Sequence, residues 1–170
     1  VALWRQLSET AAVIVAVRAG TSGTEAIDGV AAELRAGVQA LAFHVWRNLG
    51  RAQALRTQLA SKLPPPHADA LLCVALALAW DPKTAPYDMF TLVNQTVEAA
   101  KRSRTTHGQA SFLNACLRRF LREHDALVAR TDDDPVAYWN HPSWWIRRMQ
   151  KEHPNHWRAV LHAANSHPPM

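Results

Sequence analysis

The residues of this sequence that are best suited to chemistry form one basic segment, KRSRTTHGQASFLNACLRRFLRE, at positions 101–123. It contains six lysines and arginines, and its only acid is the last residue. Guanidinium groups present planar donors that match phosphate oxygens, and each phosphate that a protein neutralises releases condensed counterions. The segment therefore predicts contact with a polyanion. The candidate contact residues are Lys101, Arg102, Arg104, Asn114, Arg118, Arg119 and Arg122.

The same segment also has the pattern of a helix that packs against a core. Apolar residues recur at three- and four-residue spacing from Phe112 to Leu121, which predicts one buried face. The arginines occupy the other side, and no acid lies between them, so they are not neutralised within the helix. The alternative is a solvated face whose charges are balanced by Glu98, Glu123 or Asp125 in the fold. Phosphate binding is the preferred interpretation, and the alternative stays open.

The charge balance of the whole chain indicates the same class of partner. The formal net charge is +5 and the isoelectric point is about 9.8, which favours a polyanion, with nucleic acid as the first candidate. The sequence lacks the run of roughly 20 apolar residues that spans a bilayer, so no membrane partner is expected. The first twenty residues are interpreted as a helix and not as a signal peptide, because Arg5 and Glu9 break the charge order of a leader.

Nucleophilic and metal chemistry are not expected in this chain. Cys73 and Cys116 each stand alone in an apolar helical pattern, where a thiol behaves as a small hydrophobic group. Isolated thiols of this kind suit a reducing compartment, so a cytoplasmic location is expected. His153 and His156 in the stretch HPNH have no cysteine or carboxylate at ligand spacing, so no metal site is predicted. No catalytic residue is assigned.

Helix signals recur along the sequence, and strand signals are scarce. Alanine, leucine and arginine dominate, which predicts an all-α fold. Ser22 with Glu25 and Thr106 with Gln109 match the capping box of a helix start. The expected helices span approximately residues 3–19, 23–35, 36–61, 67–80, 87–102, 107–124, 126–130, 135–140, 142–152 and 154–165.

A boundary is predicted where the stretch RTDDDP follows Arg130, because it combines acids and a proline in the manner of a domain edge. The chain would then consist of a helical domain at 1–130 and a short helical extension at 131–170. Pro135, Pro142 and Pro154 are expected in the first turns of three short helices, where proline has no amide bond to lose.

Aromatic and basic residues crowd together in this extension. The rings are Tyr138, Trp139, Trp144, Trp145 and Trp157, and the basic residues beside them include Arg147, Arg148 and Lys151. RNA-binding modules combine aromatic platforms with arginine in this way. The favoured alternative is that the rings pin the small helices to the bundle or to another domain. The two arginines are kept as a second candidate RNA contact.

Several stretches resemble known families. ASFLNACLRRFLRE is similar to the F-V-N-A-V-L-R-x-x-x-R signature of the NusB-like RNA-binding fold, and PYDMFTLVNQTVEAAKR resembles the helix before it. GVQALAFHVWRNLGR is similar to another helix of that fold, with Arg47 at the matching arginine and His44 where a small residue is common. HPSWWIRRMQKEHPNHWRAVLHAANSHPPM resembles a linker of the Sun/Fmu (RsmB) family, bacterial enzymes that methylate a cytosine of small-subunit ribosomal RNA. Its most specific part runs from Trp144 through Asn165 to Pro169.

The resemblance implies a NusB-like helical bundle that binds RNA and adds Arg47 to the candidate RNA contacts. It implies that S-adenosylmethionine and the catalytic cysteine belong to a methyltransferase domain absent from this chain. No cofactor is therefore expected in the chain itself, which should bind RNA and catalyse nothing alone. The expected partners are ribosomal RNA and that catalytic domain.

Two other functions remain open at this point. The chain resembles a transcription antitermination factor of NusB type in its helical domain, although such proteins end soon after the basic helix. It could also be an interaction module that docks the catalytic domain without touching RNA.

Overall fold

Helices form all of the regular structure in residues 1–169, the part of the chain that this computed structural model describes. The prediction of an all-α fold is confirmed over that range. The helices are α1 (Leu3–Arg18), α2 (Gly23–Asp28), α3 (Ala32–Arg47), α4 (Leu49–Leu59), α5 (Pro66–Ala79), α6 (Met89–Arg102), α7 (Ala110–Arg122), α8 (His124–Thr131), α9 (Pro135–Trp139), α10 (Ser143–Glu152) and α11 (Trp157–Ala164), and a 3-10 turn (His107–Gln109) precedes α7.

Helix α5 lies at the centre of the bundle. Every residue from Ala68 to Ala79 is buried, and all but Asp69 are apolar. A helix that is apolar on all sides must be covered on all sides, and helices α1, α3, α4, α6 and α7 pack around it.

Helices α6 and α7 pack against each other on one side of α5. The apolar face of α7 buries Leu113, Leu117 and Phe120 in the main core, as the spacing predicts. The prediction that Phe112 also lies on this face is wrong, because its side chain is 38% exposed. Helices α6 and α7 therefore lie side by side with their polar faces toward solvent.

The predicted helices at 23–35 and 36–61 are wrong in their boundaries. The chain forms α2, turns at Gly29, and then forms α3 and α4 with a break at Asn48. At the first turn, the guanidinium of Arg35 donates to the carbonyl oxygens of Asp28 and Val30 at 3.1 and 3.0 Å. These bonds satisfy carbonyl groups that a continuous helix would have used internally.

The break at Asn48 has a long-range cause. Its Nδ2 donates to the carbonyl of His44 at 2.8 Å, and its Oδ1 accepts from the indole nitrogen of Trp80 at 2.9 Å. Asparagine side chains compete with helical hydrogen bonds in this way. The break sets α4 off from α3 and puts Arg47 beside the end of α5.

One of the two predicted caps forms. The hydroxyl of Ser22 accepts from the amide of Glu25 at 3.1 Å and begins α2. The cap predicted at Thr106 is wrong, because that hydroxyl is buried and donates to the carbonyl of Ala100 at 2.9 Å. It therefore ties the connection between α6 and α7 to the end of α6.

The three prolines of the extension lie at different distances from their helices. Pro135 is the first residue of α9, as predicted, and the carboxylate of Asp134 accepts from the amide of Val136 at 3.0 Å. Pro142 stands just before α10, and Pro154 lies in a turn three residues before α11 begins at Trp157. The predicted start of the last helix at residue 154 is therefore wrong.

The extension meets the bundle where α9 packs on α4. A Cβ at Gly50 would lie 2.6 Å from the carbonyl oxygen of Val136, so glycine permits this close approach. Asn140 adopts a left-handed conformation with φ of 54°, and its Oδ1 accepts from the amide of Arg51 at 2.8 Å. Beyond it, Ile146, Met149 and Leu161 form a small separate core.

Most of the tryptophans of the extension pack against this small core. Trp139, Trp145 and Trp157 pack against it, and the rings of Trp139 and Trp157 meet edge to face at 5.2 Å. Trp144 remains largely exposed. Within residues 1–169, no helix has the length and the apolar character that crossing a membrane requires.

Candidate nucleic-acid interface

A groove of about 360 Å³ lies between the outward faces of α6 and α7. It brings together Lys101 from the last turn of α6 and the pair Asn114 and Arg118, one turn apart on α7. The other side chains and backbone that line it are Asn94, Val97, Glu98, Ala110 and Ser111. Residues four apart on a helix share a face, which is why both helices direct polar groups into this groove.

The cations of this surface that make no ion pair within residues 1–169 are Lys101, Arg104, Arg118 and Arg122, all exposed. The Nε of Arg118 donates to the amide oxygen of Asn114 at 3.4 Å, which orients the guanidinium without neutralising it. We call these four residues and Asn114 the open basic surface. Its positive charge faces solvent.

Two other predicted contacts are paired with carboxylates, in agreement with the alternative interpretation. Arg102 donates to Glu98 at 2.5 Å, and its guanidinium lies 4.6 Å from the ring centre of Trp4. Arg119 donates to Glu123 at 2.8 Å and to the carbonyl of Gln58 at 3.3 Å. Exposed pairs four residues apart contribute only about 0.3–0.5 kcal/mol to stability. The pairs are weak enough for a phosphate to compete with them.

The remaining predicted contacts lie on other parts of the fold. Arg147 and Arg148 are exposed on α10, where Arg148 donates to Glu152 at 2.9 Å. Arg47 ends α3 and lines a different cavity. The structure therefore gathers the contacts predicted on α6 and α7 and does not join these three arginines to the groove.

The second cavity measures about 850 Å³ and lies between the α3–α4 junction, the loop after α5, and helices α9 and α11. Its basic and aromatic lining residues are Arg47, Arg51, Arg158, Trp80, Tyr138 and Trp139, together with His44, His162 and His167. Of these residues, Arg47 is a predicted RNA contact, and Tyr138 and Trp139 belong to the aromatic cluster for which base stacking is the less favoured interpretation. We call this space the junction cavity.

Arg51 is the most buried cation of the junction cavity, with 4% of its surface exposed. One of its terminal nitrogens donates to the hydroxyl of Thr131 at 2.8 Å and to the carboxylate of Asp132. The guanidinium lies 4.4 Å from the ring centre of Trp80 and 5.5 Å from that of Tyr138. No local sequence pattern identifies Arg51 as a cavity residue, because its hydrogen-bond partners lie about eighty positions further along the chain.

His44 also faces this region. Burial lowers the pKa of its imidazole, and the neighbouring charge of Arg47 lowers it further, while Asp81 acts in the opposite direction. The ring is therefore neutral at neutral pH. Its Nε2 is buried and has no hydrogen-bond partner within the described chain.

The two thiols are held in protonated form. Burial, with the nearby charge of Asp69, raises the pKa of Cys73 to about 11, and the thiol donates to that carboxylate at 3.9 Å. Burial likewise raises the pKa of Cys116, whose thiol lies 3.7 Å from the carbonyl of Leu59. Neither sulfur lines the groove or the junction cavity.

Comparison with known proteins relates the chain to one group of enzymes. Residues 141–170 match the family model described as "Methyltr_RsmF/B-like, ferredoxin-like domain". The chain is 39% identical over 80 residues to a probable ribosomal RNA small subunit methyltransferase B of Coxiella burnetii, an alignment that covers 47% of this chain and 18% of the relative. It is 29% identical over 135 residues to the ribosomal RNA small subunit methyltransferase B of Pasteurella multocida, covering 78% of this chain and 29% of the relative.

A third relative, the ribosomal RNA small subunit methyltransferase B of Escherichia coli O1:K1, is 40% identical over 58 residues, covering 34% of this chain and 13% of the relative. The chain thus spans less than a third of the length of these curated relatives.

Proposed function

We propose, from the confirmed similarity of this chain to the N-terminal region of the Sun/Fmu (RsmB) family, that it is an RNA-binding domain. In this proposal it holds small-subunit ribosomal RNA while a separate catalytic domain methylates a cytosine. The observation that carries the proposal is the open basic surface, where four exposed cations make no ion pair within residues 1–169.

The geometry of the groove suits a phosphate backbone. Lys101 and Arg118 line it from opposite helices, so one strand of RNA that follows the groove would meet a cation on each side. Phosphate contacts supply affinity and orientation without reading sequence. Arg104 and Arg122 add two further exposed cations to the open basic surface. Arg102 and Arg119 would exchange weak carboxylate pairs for phosphates.

The rigidity of the two helices matters as much as their charge. Leu113, Leu117 and Phe120 anchor α7 in the main core, and Thr106 ties the preceding connection to α6. The cations are therefore presented on a fixed framework, which reduces the entropy lost when RNA binds. Binding of this kind holds a substrate in place for another domain.

S-adenosylmethionine would supply the methyl group in the catalytic domain. In this proposal no residue of this chain holds it. The polyanion-binding surface is the part of the reaction that this chain would supply.

The test is the salt dependence of RNA binding by the triple variant Arg118→Gln, Arg119→Gln, Arg122→Gln. The affinity for a small-subunit ribosomal RNA hairpin, measured by gel shift at several salt concentrations, should fall. The slope of log affinity against log salt should flatten by roughly one unit for each phosphate that the variant no longer neutralises.

A control with the same change in charge is available. The triple variant Lys62→Gln, Lys83→Gln, Arg130→Gln removes three exposed cations that line neither the groove nor the junction cavity. It should leave the slope close to that of the unaltered chain. An unchanged slope in the first variant would instead favour a module that docks the catalytic domain without RNA.

The antitermination alternative predicts a different preference. A regulator of NusB type would select an antiterminator RNA in the presence of a protein partner, whereas the proposed domain prefers a ribosomal hairpin without one. The relatives compared above carry the methyltransferase name, which supports the second expectation.

A further inference from the structure

The junction cavity has the size of a ligand site. Its volume of about 850 Å³ lies within the range of about 300–1,000 Å³ that is usual for small-molecule sites. Its walls come from the bundle and from the extension, so a molecule bound there would touch both parts of the chain. The open basic surface contributes no residue to it.

The charge of the cavity favours an anionic ligand. Three arginines line it against one lining carboxylate, that of Asp81. Arg51 is already paired with Asp132, but Arg47 and Arg158 make no ion pair within the described chain. Two cationic side chains are therefore left to meet a negatively charged ligand.

Two side chains of the cavity wall each hide one nitrogen from solvent. The Nε of Arg51 and the Nε2 of His44 are buried without a hydrogen bond inside residues 1–169. Because neither nitrogen reaches the open space, the contacts of a ligand would come from the exposed parts of the lining side chains, above all from Arg47, Arg158 and the aromatic rings.

The aromatic rings of the cavity favour a ligand that carries a flat base as well as a negative charge. Trp80, Tyr138 and Trp139 line the cavity, and the guanidinium of Arg51 lies over the rings of Trp80 and Tyr138. Stacked aromatic and guanidinium planes are the platform on which proteins hold unpaired bases. A free phosphate would leave these rings unused, and a duplex is too wide to enter.

We propose that the junction cavity binds one unpaired ribonucleotide, with its phosphate at Arg47 and Arg158 and its base against the aromatic rings. This site is separate from the open basic surface and does not depend on phosphates binding between α6 and α7.

The first experiment measures binding of the four ribonucleoside 5′-monophosphates to the whole chain by calorimetry, with ribose 5-phosphate and inorganic phosphate as comparison probes. At least one nucleotide should bind in a saturable manner and about tenfold more tightly than ribose 5-phosphate. If ribose 5-phosphate bound as tightly as the nucleotides, the base would contribute nothing to binding, and the proposal would be overturned. The absence of saturation with every nucleotide would also overturn it.

Single variants locate the binding. Arg47→Gln and Arg158→Gln should each weaken nucleotide binding about tenfold, whereas Arg130→Gln, an exposed arginine outside the cavity, should not. Arg118→Gln on the open basic surface should also leave it unchanged. If Arg118→Gln weakened nucleotide binding as much as Arg47→Gln did, the nucleotide would be binding elsewhere and the proposal would be wrong.

A measurement on the unaltered chain guards against variants that fail to fold. The indole N–H signals of Trp80 and Trp139 should shift in NMR spectra when nucleotide is added, and that of Trp4 should not. Shifts at Trp4 alone would contradict the site. A chain that binds RNA with the expected salt slope but binds no nucleotide would overturn this inference and leave the proposed function standing.

Discussion

Arginine occupies two contrasting settings in this molecule, one beside a buried carboxylate and one on the outer face of α6 and α7. Inside, Asp69 is 5% exposed and accepts from Arg18 at 2.9 Å and from Arg56 at 2.6 Å. Outside, Arg118 and Arg122 make no carboxylate contact within residues 1–169. The residue type is the same, and the surroundings differ completely.

The difference teaches where to look for function in a basic protein. A buried charge must be paired because desolvation is costly, and removing one partner of a buried pair typically costs about 3–5 kcal/mol. An exposed cation needs no partner in the folded chain, and a nearby carboxylate changes stability by about 0–1 kcal/mol. The arginines that pair with the buried Asp69 therefore serve the fold, and the unpaired ones are free for a ligand.

The largest effect is expected from Asp69→Asn, which would leave Arg18 and Arg56 without their shared carboxylate. The free energy of unfolding in urea should fall by about 3 kcal/mol. The salt slope of RNA binding, measured where the variant is still folded, should not change. As a matched exposed change, Glu123→Gln should cost less than about 1 kcal/mol. Equal losses in the two variants would break the contrast between inside and outside.

A smaller effect is expected at Asn140, which supports the buried Arg51. Asn140→Ala loses the acceptor for the Arg51 amide and places a side chain less suited to the left-handed conformation at φ of 54°. Thermal and urea unfolding should show a loss of about 2 kcal/mol. Asn140→Gly, which relieves the backbone but also lacks the acceptor, should lose less. A glycine variant as unstable as the alanine variant would mean that backbone conformation is unimportant there.

The two kinds of exposed arginine can be separated on α7 itself. Arg122→Gln should lower the salt slope of RNA binding by about one unit, as expected when one phosphate fewer is neutralised. Arg119→Gln should lower it less, because Arg119 must first give up its bonds to Glu123 and to the Gln58 carbonyl. Identical slopes for the two variants would show that the pairs do not restrain binding.

The smallest effect is expected from the titration of the Cys73 thiol, which lies beside the buried carboxylate of Asp69. The pKa of its thiol is raised from 9.0 to about 11, so the unfolded chain releases this proton before the folded one does. The stability that the thiol contributes is present below pH 9 and is lost as the pH rises toward 11. Unfolding followed from pH 8 to pH 11 should show this loss relative to Cys73→Ala. Parallel curves for the two proteins would contradict it.

Local signals account for the features that were predicted correctly. The cap of α2 by Ser22 and the start of α9 at Pro135 depend on residues within three positions of each other. The amphipathic pattern of α7 likewise placed its arginines opposite Leu113, Leu117 and Phe120. These features could be predicted because the interactions that determine them are encoded within one helical turn.

Distant partners account for what was missed. The break at Asn48 depends on the indole of Trp80, and the hydroxyl of Thr106 found a buried carbonyl at Ala100 in place of a cap. The junction cavity needs side chains from α3, α4, α9 and α11 at once, which no spacing along the chain reveals. The pairs Arg102–Glu98 and Arg119–Glu123 are an intermediate case, because their four-residue spacing is visible in the sequence.

The absence of a side chain at Gly50 lets α9 lie directly on α4, and the bond from the Arg51 amide to Asn140 fastens it there. The link between the two parts of the chain thus combines a close approach of backbone atoms with side-chain bonds from Asn140 and Arg51. Such a link behaves as a stiff joint and not as a tether: the extension should reorient together with the bundle in solution. The side chains of the extension should therefore keep a fixed orientation relative to the open basic surface.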